Sequence, residues 1–210
     1  MSWVSGAYAS GPVVRWAGAR EIKIDISQSD FAIVRDPDVL EAFGTDFGTS
    51  AWSNPLDGGR CEVSVSSQQI ANRPPTRLAD QTANYFATNN LSGSWVAIDF
   101  DASGAGHRVN LDAFAWQHVD STSTYRLRSF LVEAGNGANL AAVSWQTIGT
   151  ISEDGFIRGG ASGWSTVREL VKLAEPYRFV RFTQTGTNSN GSNFLLGSEV
   201  VFGGSIFPGG

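Results

Sequence analysis

Cysteine, histidine and long apolar runs are scarce in this sequence of 210 residues, which contains one Cys and two His. A single cysteine excludes an internal disulfide and any metal site built from several cysteines. Acidic residues outnumber basic ones by 20 to 15, and the net charge of −5 argues against a nucleic-acid partner, because nucleic-acid-binding proteins usually carry a basic face. No apolar run approaches the ~20 residues of a membrane-spanning helix, so we expect no membrane span.

Helix signals are also few. Helical spacing occurs in the short segments 36–43 and 167–174, and the second alternates equally well as a strand. Runs of alternating polar and apolar residues, rich in β-branched and aromatic side chains, predict strands instead. These runs are Glu21–Ile26, Val63–Val65, Trp95–Phe100, Leu111–Val119, Ser129–Ala134, Trp145–Ile151, Tyr177–Gln184 and Leu195–Phe202. Clusters of Gly, Asn, Asp and Ser separate them, which is typical of an all-β sandwich or barrel.

The chain length suits one domain with a short extension. Residues 1–36 differ from the rest, because a turn-prone stretch of small residues there lies beside Trp3 and Trp16. We interpret them as an arm that packs on the domain or on another copy of it, in a homo-oligomer or on particle or scaffold proteins. The β-sandwich is expected to occupy residues 37–205, and residues 206–210 to form a tail.

Catalytic motifs are missing from the sequence, which has no nucleophile elbow, zinc-protease motif or phosphate-binding loop. The neighbouring carboxylates Asp36 and Asp38, or Glu153 and Asp154, fit solvated loops better than a glycosidase pair, whose carboxylates must flank a bond at a fixed separation. The lone Cys61 is interpreted as a small buried apolar residue. We therefore expect a protein that is not an enzyme.

Five blocks of sequence, in order, resemble the discoidin family, also called the coagulation factor V/VIII type C domain. They are Phe47–Pro55, Val63–Ser67, Leu78–Phe100, Arg126–Ile148 and Tyr177–Val200, of which the last carries the most specific match. The resemblance implies an all-β fold, a discoidin-like jelly-roll β-sandwich of the galactose-binding-like type, here with a short N-terminal arm. We expect Trp95, Trp145, Phe179 and Phe182 in its core.

The same resemblance implies that ligands bind to loops at one end of the sandwich, because strands hold loops rigidly while leaving their sequence free. Two loops supply the candidate ligand-binding residues: His118, Asp120, Tyr125 and Arg126 in the first, and Asn188, Asn190, Asn193 and Phe194 in the second. Amide groups both donate and accept hydrogen bonds, and aromatic faces stack on sugars, so together they suit carbohydrate. The alternatives are that these Asn residues only shape turns and that His118 makes a structural hydrogen bond.

A structural calcium ion is implied by the family in the loop that contains Asp80. Asn84 and Glu199 are the other candidate ligands. Calcium takes six to eight oxygen ligands, many of them backbone carbonyls. The alternative is that Asp80 simply caps a turn.

These observations lead to a hypothesis of a non-catalytic binding module that recognises a cell-surface glycan, or another cell-surface ligand such as a surface protein. The N-terminus lacks the pattern of a secretory signal peptide, so we expect synthesis in the cytoplasm. A phage or phage-like particle would reconcile synthesis in the cytoplasm with host recognition and cell adhesion. The module would then be displayed as part of a fibre, spike or tail and released by lysis. The alternatives are a structural virion component and an intracellular protein-recognition module without glycan binding.

Overall fold

The computed structural model describes residues 20–22, 25–26, 33–34, 39–44, 53–57, 60–67, 72–80, 82, 84–118, 126–152, 163–165 and 167–207. Within these residues the strands are β1 (Arg20–Ile22), β2 (Asp25–Ile26), β3 (Ile33–Val34), β4 (Glu62–Val65), β5 (Phe86–Ala87), β6 (Trp95–Asp99), β7 (Arg108–Gln117), β8 (Ser129–Asn136), β9 (Ser144–Ser152), β10 (Arg168–Glu169), β11 (Phe179–Gln184), β12 (Leu196–Gly197) and β13 (Glu199–Phe207). The helices are α1 (Val39–Gly44) and two 3-10 helices, Pro75–Ala79 and Leu140–Ala142.

Two antiparallel sheets form a sandwich. The four-stranded sheet has the order β1-β13-β7-β10, and the five-stranded sheet has the order β4-β6-β11-β8-β9. Two short pairs, β5 with β12 and β2 with β3, accompany them. Strands that neighbour each other in a sheet are often distant in sequence, as in jelly-roll folds. The prediction of an all-β sandwich is confirmed.

An aromatic cluster fills the space between the sheets. The ring of Phe182 on β11 lies 5.4 Å from that of Phe114 and 5.1 Å from that of Trp116, both on β7, measured between centroids. It also lies 6.0 Å from the ring of Phe202 on β13. All four residues are fully buried, so the alternation of β11 directs Phe182 into the core as predicted.

Helix α1 begins within the predicted helical segment 36–43 and ends one residue after it, at Gly44. It adds Val39 and Phe43 to the core. The Phe43 ring lies 5.7 Å from that of Phe100, just after β6. Cys61 is buried in the same cluster, as predicted, and burial raises the pKa of its thiol. It is therefore a small packed residue in its neutral form.

Two of the four predicted core aromatics are only half-buried. Trp95 and Trp145 alternate with the inward-facing residues of their strands and so occupy the outer face of the five-stranded sheet. On that face the Arg181 guanidinium stacks 4.2 Å from the Trp145 ring centroid. Phe179 is buried at 2% exposure, as predicted, and the Arg178 guanidinium lies 4.7 Å from its ring centroid. The prediction that Trp95 and Trp145 form the core is wrong.

Ion pairs fix the register of β11 on this outer face. Arg181 donates two hydrogen bonds to Glu133 on β8, at 2.9 and 3.0 Å, and the Thr183 hydroxyl donates a third at 2.6 Å. Burial opposes the charged form of Glu133, but these hydrogen bonds hold the pKa of its carboxyl below the usual value. Arg178 makes a similar two-bond pair with Asp99 on β6, at 2.7 and 2.6 Å. Such bidentate pairs are geometrically specific and therefore favour one strand register.

A bulge interrupts the pairing of β7 with β13. The register shifts between Gly203 and Gly204, opposite Ala113 and Leu111. Beside the bulge, on the side of β7 away from β13, the Leu111 N–H donates to the Tyr177 hydroxyl at 2.7 Å, which satisfies a buried backbone group. A Cβ atom at Gly204 would lie 2.5 Å from the Asn110 carbonyl oxygen, so this close approach requires glycine.

Several predicted boundaries differ from the observed ones. The run Leu195–Phe202 is two strands, β12 and β13, and β13 continues to Phe207 with Ile206 fully buried, so the sheet extends past residue 205. In the predicted arm, β1 pairs with β13, whereas most of residues 1–36 lie outside the described part of the chain. Segment 167–174 contains the two-residue strand β10.

None of the helices in the described residues is long and apolar enough to span a membrane.

Candidate ligand-binding end of the sandwich

Four strand ends meet at one end of the sandwich. Strand β7 ends at Gln117 and β11 ends at Gln184, whereas β6 and β8 begin there, at Trp95 and Ser129. Antiparallel pairing of β11 with β6 and β8 brings three of these ends together, and the hydrogen bond from the Leu127 N–H to His118 joins the end of β7 to them. We call this region the loop end and define it as residues 88–94, 118, 126–128 and 185–195. It contains the second loop that the resemblance implied to bind a ligand, and His118 and Arg126 of the first.

Two hydrogen bonds hold Arg126, at the end of the first predicted loop, beside the second loop. The Arg126 N–H donates to the Ser189 hydroxyl at 2.9 Å, and the Ser189 N–H donates to the Arg126 carbonyl oxygen at 3.0 Å. Reciprocal bonds of this kind fix both distance and orientation. Asp120 and Tyr125, which precede Arg126, lie outside the described residues.

A third loop, residues 88–94, joins them and was missed by the sequence analysis. The Asn90 side-chain oxygen accepts the Asn193 N–H at 2.6 Å. The Ser94 hydroxyl donates to the Leu91 carbonyl oxygen at 2.7 Å and fixes the loop, which leaves the Leu91 side chain 56% exposed. The available signal was the run of Asn, Ser and Gly before the strand that starts at Trp95, which predicts a turn but no partner for it.

Asn188 has a structural role. It is 0% exposed, and its side-chain oxygen accepts the N–H groups of Asn190 and Ser192 at 3.0 and 3.1 Å. Its amide nitrogen donates to the Phe194 carbonyl oxygen at 3.3 Å. Gly191 completes the turn with a φ of +72°, which favours glycine. Asn188 therefore shapes the loop from within, which fits the alternative that these Asn residues form turns.

The other members of this loop face outward to different degrees. Asn190 is exposed, and Asn193 and Phe194 are half-buried. Arg126 on the neighbouring loop is also half-buried. These four residues present an amide pair, an aromatic ring and a guanidinium within one cluster of loops, and they form the part of the predicted set that a ligand could reach.

His118 follows the end of β7 and is buried at 2% exposure. The backbone N–H of His118 donates to the Gly163 carbonyl oxygen at 2.8 Å. The Nδ1 atom of its ring accepts a hydrogen bond from the Leu127 backbone N–H at 3.4 Å. An Nδ1 that accepts a hydrogen bond places the proton of the neutral ring on Nε2. Burial, and secondarily the charge of Arg126, lower the pKa of His118 from 6.5 to about 4. The structural alternative for His118 therefore fits this geometry, rather than contact with a ligand.

This buried histidine predicts acid sensitivity. Because the pKa of His118 is lowered on folding, the unfolded chain binds the proton more readily, and stability is lost as the pH falls from 6.5 towards 4. We expect His118 to account for about 1–2 kcal/mol of the fall in unfolding free energy between pH 7 and pH 5. Urea denaturation at both pH values measures this fall in unfolding free energy. The same fall in a His118→Gln variant would contradict its assignment to protonation of His118.

The candidate calcium ligands show a capped turn at Asp80. One oxygen of Asp80 accepts both the Thr82 N–H, at 2.9 Å, and the Thr82 hydroxyl, at 2.7 Å. Asn84 is exposed and Glu199 is buried at the start of β13. Within the described part of the chain, no three His, Cys, Asp or Glu side chains are placed together to hold a metal ion. The side chains at Asp80 therefore fit the alternative of a capped turn.

Comparison with solved structures identifies the fold. A carbohydrate-binding module from a family 31 glycoside hydrolase of Clostridium perfringens superposes with a TM-score of 0.52 at 14% identity, over 69% of this chain and 91% of that module. The chain has the discoidin-like, galactose-binding-like β-sandwich fold. A chitosan-binding module of Paenibacillus sp. IK-5, in complex with chitotriose, matches this fold with a TM-score of 0.51 at 15% identity, over 69% of this chain and 97% of that one.

The galactose-binding-like fold is shared more widely. A fucolectin from striped bass (Morone saxatilis) serum matches with a TM-score of 0.50 at 17% identity, over 69% of this chain and 47% of the lectin. No protein-family model matches the sequence, and no curated protein matches it either. The structural neighbours are carbohydrate-binding modules and lectins, and at these identities the likeness defines the fold.

Proposed function

We propose that the chain is a non-catalytic module that binds carbohydrate through its loop end. The observation that carries this proposal is the meeting of three loops through hydrogen bonds from Arg126 to Ser189 and from Asn193 to Asn90. Loops that are tied together in this way form a surface organised before a ligand arrives, which lowers the entropy cost of binding.

The side chains on this surface suit sugar hydroxyls. The exposed amide of Asn190 and the half-buried amide of Asn193 can both donate and accept hydrogen bonds, as each hydroxyl requires. Arg126 adds donors, and the half-buried ring of Phe194 offers an apolar face to the C–H groups of a sugar ring. A few placed polar groups beside an aromatic ring are the usual composition of a small-ligand site.

The structural neighbours support the proposal at the level of ligand class. They include a module in complex with chitotriose and a fucolectin, both with the same fold. Two different saccharide specificities on one fold agree with a surface whose strands are fixed and whose loops vary. The identity of the sugar therefore depends on the loop residues of this chain.

A glycan array with purified protein tests this function. We expect the wild type to bind one or more glycans and the double variant Asn190→Ala, Phe194→Ala to bind them at least about tenfold more weakly, since each lost contact contributes about 1 kcal/mol. Gln146→Ala, an exposed amide on β9 near the opposite end of the sheet, is the matched control and should bind as the wild type does. Binding by the double variant equal to that of the control would refute this site, and a folded wild type that binds no glycan would refute the function.

The cellular setting is a further part of the proposal. We propose that the module is made in the cytoplasm and displayed on a phage or phage-like particle, where the loop end would contact a host surface. Genes for capsid or tail proteins beside this gene would support that setting, and a neighbourhood without them would oppose it.

A further inference from the structure

A buried glutamine lies directly beneath the loop end. Gln184 is the last residue of β11 and is 3% exposed. Its backbone N–H donates to the Ser94 carbonyl oxygen at 2.9 Å, which ties it to the loop 88–94. In the alternation of β11 it follows Val180 and Phe182, both in the core, so its side chain points between the sheets.

The Gln184 amide is left unsatisfied by the described residues. Neither its Nε2 nor its Oε1 has a hydrogen-bond partner among them, although both atoms are buried. An amide carries two donor hydrogens and two acceptor lone pairs, and burying such a group without partners costs free energy. Native proteins satisfy groups of this kind with protein atoms, ordered water or a ligand.

Ser198 lies at the same level on the opposite sheet. The rings of Phe182 and Trp116 touch at 5.1 Å, and Trp116 pairs with Val200 on β13. Gln184 lies two residues beyond Phe182 towards the loop end, at the end of β11. Ser198 lies two residues before Val200 in the same direction, just before β13 begins. The Ser198 hydroxyl is also buried, at 2% exposure, and also has no partner among the described residues.

The three side chains that form this polar layer are uncharged. An amide, a hydroxyl and the neutral ring of His118, which lies two residues beyond Trp116 and just after the end of β7, occupy the level above the aromatic cluster. Charged ligands would lose their hydration there without a counter-charge, whereas a hydroxyl could both donate to Gln184 Oε1 and accept from Nε2. The layer therefore selects for neutral hydroxyl groups.

We propose that the Gln184 amide and the Ser198 hydroxyl together bind a neutral hydroxyl group buried beneath the loop end. Two sources supply this chemistry: an ordered water molecule, or a hydroxyl of a sugar held by the loops. The second source rests on the proposed function, and the first does not. Either would join the core to the loops through one shared hydrogen-bonded group.

A double-mutant cycle on the full chain tests the proposal. Gln184→Leu and Ser198→Ala should each lower the melting temperature by about 2–4 °C, and the double variant should lower it by less than the sum, because both changes release the same hydroxyl. The matched controls Gln146→Leu and Ser144→Ala, at exposed positions of β9, should leave it unchanged. If the two core variants melt at or above the wild-type temperature and their effects add, no shared hydroxyl is bound.

Repeating the cycle with galactose as the hydroxyl-bearing probe separates the two sources. Coupling without sugar identifies water, and coupling seen only with galactose identifies a sugar hydroxyl. Additive effects of the two substitutions, both with and without galactose, overturn the proposal. If the protein does not bind galactose, the cycle without sugar still tests for a bound water molecule. Should Gln184→Leu fail to fold, a high-resolution crystal structure of the wild type decides: an oxygen within hydrogen-bond distance of both side chains supports the site, and its absence overturns it.

Discussion

Replacing Phe182 with alanine lowers the free energy of unfolding by about 3–5 kcal/mol. The ring is fully buried and lies within about 6 Å, centroid to centroid, of Phe114, Trp116 and Phe202 on the opposite sheet. Those neighbours sit on hydrogen-bonded strands that cannot shift far, so the deletion leaves a cavity in addition to the loss of buried apolar area. Urea denaturation followed by tryptophan fluorescence measures the change.

The matched comparison is Phe194→Ala, which removes the same atoms from a half-buried position at the loop end. We expect it to cost less than half as much stability, because its neighbours already border solvent and a cavity need not form. Equal losses in the two variants would contradict the assignment of Phe182 to the centre of the core.

The fold could be predicted because strand alternation and turn composition are local signals. The run Tyr177–Gln184 predicted β11, and Phe182 lies in the core as expected. The face on which an aromatic residue sits was harder to predict. Trp145 was assigned to the core, yet it packs against Arg181 on the outer face, since a long arginine side chain can cover an aromatic ring and keep its charge near water.

The candidate site was predicted as a region, and its individual contacts were not. The resemblance implied that both loops lie at one end, and the hydrogen bonds between Arg126 and Ser189 join the described end of the first loop to the second. The bond from Asn193 to Asn90 joins residues 103 positions apart, and no local pattern indicates such a pair. Sequence also could not distinguish Asn188, which points inward, from Asn190, which is exposed, because both belong to one run of turn-forming residues.

That distinction leads to the second large effect, which we expect at Asn188. Replacement by alanine removes the acceptor for the N–H groups of Asn190 and Ser192 and the donor to the Phe194 carbonyl oxygen. Because Asn188 is fully buried, these groups lose their partner where water is scarce, and we expect a loss of about 2–4 kcal/mol in unfolding free energy. Thermal denaturation and glycan binding are measured on the same preparation.

The neighbouring variant Asn190→Ala separates structure from recognition. Its side chain is exposed, so stability should stay within about 0.5 kcal/mol of the wild type, while glycan binding weakens through the loss of one direct contact. Asn188→Ala should weaken both, because the loop that presents Asn190 and Phe194 loses the side chain that fixes its path. If Asn188→Ala weakened glycan binding with no change in stability, Asn188 would have to touch the sugar itself, and its structural role would be wrong.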